Sequence, residues 1–117
     1  MYKDVTAATW ERDVIERSHE VPVVVDFWAA WCGPCRMLGP VIEAEVDKRG
    51  GAVELAKVDT EAEQELAIRF GIQSIPSVAV FRNGEVVTGF VGAYPAATVG
   101  KFLDDAIASQ GAAAAVA

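Results

Sequence analysis

The stretch VVVDFWAAWCGPC, Val23 to Cys35, holds both cysteines of the 117-residue chain and one acid, Asp26, inside an otherwise apolar run. The β-branched and aromatic residues of Val21 to Ala29 predict a strand buried on both faces, and so the centre of a sheet. Pro34 suits the first position of a helix, where its missing N–H would have had no partner. A helix is therefore expected from about Pro34 to Arg49, with Leu38, Val41, Ile42 and Val46 toward the core and a kink at Pro40. That arrangement sets Cys32 at the helix N-cap and Cys35 in its first turn.

Outward from this centre, TAATWERDVIERS (Thr6 to Ser18) predicts a first helix capped by Thr6, after a short strand. Ala52 to Val58 predicts a strand. Thr60 and Glu63 have the spacing of a capping box, opening a helix that buries Leu66, Ala67 and Phe70 and ends at Gly71. Ser77 to Phe81 and Glu85 to Val91 flank Asn83-Gly84, a strong signal for an antiparallel hairpin. Pro95 opens a last helix with Val99, Phe102, Leu103 and Ile107 on one stripe, and SQGAAAAVA reads as a disordered tail or a linker cut short. Strands alternating with helices predict an α/β domain over residues 1–108: a mixed sheet of five strands flanked by four α-helices on both faces, followed by the tail at 109–117.

Composition excludes several functions. Lys plus Arg total 10 against 17 Asp plus Glu, a net charge of -7, which disfavours nucleic acid or an anionic membrane as partner. No apolar run reaches the roughly 18 residues of a membrane span, and MYKDVTAATWERD has no apolar signal core, so the chain reads as cytoplasmic. Structural zinc wants about four Cys or His ligands, and only Cys32, Cys35 and His19 are offered. His19 reads as a solvated surface residue and no metal is expected. A disulfide closing so short a loop is a poor staple, which leaves redox chemistry.

A cysteine at a helix N-cap meets free N–H groups and the positive dipole end, which favour thiolate. Cys32 is therefore read as the solvent-facing nucleophile and Cys35, one turn on, as the shielded thiol that resolves the mixed disulfide. Asp26, desolvated in its strand, should bind its proton tightly and exchange it with Cys35, directly or through water. The alternative is a strand-end carboxylate that reaches solvent. Lys57, in LAKVD, either pairs with Asp26 or snorkels from its strand end. Trp28 reads as core, whereas Trp31 reads as an exposed docking surface for extended substrate. Ile75-Pro76 precedes a strand, with cis and trans both open and trans the commoner default.

Together, FWAAWCGPCRML, Asp26, the KVD at Lys57, the SIPSV at Ser74, FRNGEVV and the VGA at Val91 resemble the thioredoxin family, from about residue 5 to 108. The resemblance implies the thioredoxin fold and protein-disulfide reductase activity. It also implies electrons from a flavin-dependent thioredoxin reductase, with NADPH acting only through that enzyme. No bound cofactor is expected beyond the Cys32/Cys35 pair, and the chain is expected as a monomer acting on disulfide-containing client proteins. By the same resemblance Gly33 and Pro34 tune the couple, Lys57 partners Asp26, and Pro76 is the cis-proline beside the active site. Trp31, Ile75, Gly92 and Ala93 would then form the apolar rim for substrates, whose backbone could add to that beside Pro76. Arg36 and Ser74 depart from residues frequent in the family. GFVGAYPAATVGKFL also resembles the thioredoxin domain of bacterial redox co-chaperones, and this leaves a client-binding module as the alternative.

Overall fold

The computed structural model describes the backbone of residues 1–116 and the side chains of residues 1–109. Its centre is the strand expected from the opening stretch, labelled β2, Val23–Trp28. β1 (Lys3–Asp4), β3 (Glu54–Asp59), β4 (Ser77–Arg82) and β5 (Glu85–Val91) complete one mixed sheet in the order β1-β3-β2-β4-β5. The first three strands of that order run parallel, β4 is antiparallel to β2, and β5 is antiparallel to β4. The α/β thioredoxin fold expected from the sequence is the fold observed.

Strand residues alternate between faces, and β2 divides the core accordingly. Val24 points to the side of α1 (Gly33–Asp47) and α3 (Ala96–Val116), among Leu38, Ile42, Val80, Val99 and Leu103. Val23, Val25 and Phe27 point to the other side, against Trp10, Val14 and, from α2 (Gln64–Arg69), Leu66. By the same parity Asp26 faces α1, in a row whose other members are apolar.

Four helical segments cover the two faces, but the first departs from expectation. It is a wide π-helical run, Glu11–Glu16, followed by a 3-10 turn, Arg17–His19, and it starts after Trp10. Thr6 is not its cap, because the segment's N-cap is Trp10, and the Thr6 hydroxyl instead faces Thr9 Oγ1 in the preceding turn. Its end is fastened by buried Ser18, whose Oγ donates to the Ile15 carbonyl and accepts from the Gly84 N–H.

The capping box at Thr60 and Glu63 does not form either. The Thr60 hydroxyl donates to the Trp28 carbonyl, and the Glu63 carboxylate accepts from the Ala7 N–H. Asp59 instead receives the Glu61 and Ala62 N–H groups. The hairpin turn is as expected, with Asn83 at φ 52° and Gly84 at φ 82°, the left-handed pair such a turn needs. α1 runs through Pro40 without interruption. α3 continues to Val116, so the backbone of 109–116 is helical, while Ala117 and the side chains of 110–117 lie outside the described residues. No helix among the described residues is long and apolar enough to cross a membrane.

Candidate active site

The loop after β2 turns the chain into α1 with Cys32 as N-cap, in extended conformation. Its sulfur accepts from the Cys35 N–H at 3.2 Å, one of the donors that a helix start leaves free. Cys32 and Cys35 are joined as a disulfide with their Cα atoms 5.2 Å apart. The two form a small apolar cluster with Ala29, against which Trp28 and Ile75 pack.

One expectation needs correction. Cys32 is not the exposed member of the pair, since the residues are 4% and 5% exposed. What separates them is the side they face. Cys32 Sγ lies 3.7 Å from the Ile75 carbonyl oxygen. Cys35 lines a cavity of about 250 Å³ together with Asp26, Trp28, Gly39, Glu43 and Lys57, and Cys32 does not reach it.

Asp26 is 2% exposed, and its Oδ1 has no hydrogen-bond partner in the protein. Burial raises its pKa to about 6, against the attraction of Lys57 and with a further upward push from Glu43. The strand-end alternative, a carboxylate reaching solvent, is thereby excluded. Lys57 lies directly across from Asp26 in the β2–β3 register. Its ammonium, however, takes Glu43 as carboxylate partner and lies 4.5 Å from the centre of the Tyr2 ring. The expected Asp26–Lys57 pair is therefore not made, because α1 brings a competing carboxylate to the same ammonium.

Glu43 and Tyr2 were missed in the sequence. A signal for Glu43 exists in the spacing of Cys35, Gly39 and Glu43, which at steps of four share one stripe of α1.

The remaining candidates border the cysteines from several loops. Ile75-Pro76 is cis, Pro76 is buried, and its carbonyl accepts from the Gly92 N–H at 2.9 Å, bringing the segment after β5 beside the Pro76 loop. Trp31 is 67% exposed and anchored through its indole N–H on Glu61 at 2.8 Å. Ala93 is exposed, Gly33 and Ile75 are half-buried and Pro34 is exposed. The Arg36 guanidinium donates to the Ala30 carbonyl at 2.7 Å, bracing the loop that leads into the motif. His19 is exposed, and no cluster of metal-ligating side chains occurs among the described residues.

The chain matches the family model described as Thioredoxin over residues 1–105. It is 43% identical over 100 residues to Thioredoxin 1 of Synechococcus elongatus, covering 86% of this chain and 92% of that protein. It is 44% identical over 97 residues to a thioredoxin of Streptomyces clavuligerus, covering 83% and 88%. A third similar protein, Thioredoxin 1 of a Nostoc species, is 40% identical over 100 residues, 86% of this chain and 92% of that protein.

Proposed function

This chain belongs to the thioredoxin family and is a protein-disulfide reductase, and from that premise we propose how its residues divide the reaction. The Cys32 thiolate attacks a client disulfide, forming a mixed disulfide and expelling one client thiolate. The Cys35 thiolate then attacks the Cys32 sulfur, expelling the second client thiolate and closing the Cys32–Cys35 bond. The client gains two electrons and the protein loses two. Asp26 takes the Cys35 proton, and Lys57 tunes that carboxyl group. The observation that carries this division is the Cys35 N–H donated to Cys32 Sγ at the helix start, a contact that stabilises negative charge on that sulfur alone.

Clients would lie on the rim of Trp31, Ile75, Pro76, Gly92 and Ala93, with extended backbone added beside Pro76. Gly33 and Pro34 would tune the couple. Re-reduction by a flavin-dependent thioredoxin reductase and NADPH, a cytoplasmic location, a monomeric state and a functional domain ending near residue 108 complete the reading. The sulfur pair carries the electrons, so no bound prosthetic group is required. The relatives named above are thioredoxins covered over most of their length, and they do not favour the co-chaperone alternative.

Two variants test the division of labour. Cys32→Ser should abolish reduction of insulin disulfides, and Cys35→Ser should accumulate a covalent complex with the client through Cys32. Retained turnover in the first, or no trapped complex in the second, would overturn the assignment. Reduction of the oxidised protein by thioredoxin reductase and NADPH tests the electron source separately.

A further inference from the structure

Asp26 and Lys57 are opposite each other on adjacent parallel strands, with both side chains on the α1 face. Nothing within the sheet keeps them apart, yet the ammonium pairs elsewhere. We propose that Glu43 and Tyr2 are positioning residues that hold the Lys57 ammonium away from Asp26, so that the Asp26 carboxyl binds its proton more tightly than it would beside that ammonium. Three observations support this.

Glu43, on α1, is the carboxylate partner of Lys57, and the Tyr2 ring covers the same ammonium, a cation–π contact. The Lys57 side chain is 13% exposed, so its choice of partner is made inside the protein rather than in solvent. Finally, Asp26, Cys35, Lys57, Glu43 and Tyr2 border one cavity, which lets the position of one cation act on the acid beside Cys35.

The charged and titratable groups facing this cavity are Glu43 and Arg36 from α1, Asp4 from β1, Tyr2 just before it, Asp26 from β2, Lys57 from β3 and the sulfur of Cys35. Replacing Glu43 by glutamine removes one negative charge and frees the ammonium to approach Asp26. Both changes favour the ionised carboxylate and move its titration to lower pH. The placement of Lys57 stands on geometry alone. Its consequence for turnover rests on the proposed role of Asp26 as proton acceptor.

The test is a carbon-detected NMR titration of the Asp26 carboxyl in the oxidised protein, for the parent, Glu43→Gln, Glu43→Asp and Lys57→Met, and for Glu43→Gln in the Lys57→Met background. Glu43→Gln should lower the Asp26 midpoint by about one pH unit, the size expected when an opposite charge comes close. Glu43→Asp should hold it near the parent value. In the Lys57→Met background Glu43→Gln should give a clearly smaller shift, since only the loss of the Glu43 charge remains and no ammonium is freed. An unchanged midpoint in Glu43→Gln overturns the proposal, as does an equal shift with and without Lys57. The pH profile of mixed-disulfide resolution in Asp26→Asn reads the role of Asp26 on its own. If that profile matched the parent, the proton-acceptor reading would fall while the carboxyl titration still decided the role of Glu43.

Discussion

At the scale of single residues, Asp26 makes stability depend on pH. Its folded-state pKa of about 6 exceeds the ordinary 3.8 because burial penalises the carboxylate. The folded protein therefore holds a proton that the unfolded chain releases between those values. This contribution to stability is fully present below the unfolded value and is lost as pH rises through about 6. The loss levels off above that at about 3 kcal/mol, from roughly 1.4 kcal/mol per pKa unit. Asp26→Asn, which does not titrate, should accordingly gain on the parent by about 2.5 kcal/mol between pH 4 and pH 8. Urea unfolding of the oxidised proteins at several pH values checks this, and a difference independent of pH would contradict it. The buried acid was legible because a charge stood out in an apolar strand. Its relation to Lys57 was not, because Glu43 arrives from a helix whose packing against the sheet is a tertiary fact.

At the scale of elements, β2, α1 and the β4–β5 hairpin were legible from local pattern, since apolar runs, Pro34 and Asn83-Gly84 act through neighbouring residues. The capping box at Thr60 failed for the opposite reason: its side chains found bonds elsewhere, Thr60 with Trp28 and Glu63 with Ala7. Ser18 shows the same limit, because its Oγ ties the end of the first helical segment to a turn 66 residues away. Gly89 is a further constraint that local pattern does not reveal. A Cβ there would lie 2.6 Å from the Val78 carbonyl oxygen, closer than real Cβ atoms come to backbone, so the position is reserved for room where β5 crosses β4. Gly89→Ala must separate the two strands or bend one. It should cost about 2 kcal/mol or more, while Val87→Ala, on the exposed part of the same strand, should cost under about 1 kcal/mol. Urea unfolding of the two variants decides between a steric requirement at Gly89 and a general sensitivity of β5.

For the whole molecule, the stabilising core lies on both faces of the sheet, while the disulfide sits at the start of α1 in a small cluster of its own. This division was legible from two cysteines in a chain long enough to bury a core without staples. It should also let a redox protein open and close its disulfide without unfolding. The bond closes a loop between residues separated by three positions. The chain-entropy relation then gives a contribution of about 2 kcal/mol, small because a short loop restricts the unfolded chain little. The reduced protein should therefore keep the far-UV circular dichroism of the oxidised form and unfold in urea as one cooperative transition, about 2 kcal/mol less stable. A loss above about 4 kcal/mol, or a reduced form without a cooperative transition, would show that the disulfide holds up the fold beyond its loop entropy. The pair would then be a staple as well as a couple, and each catalytic cycle would have to pass through a weakened fold.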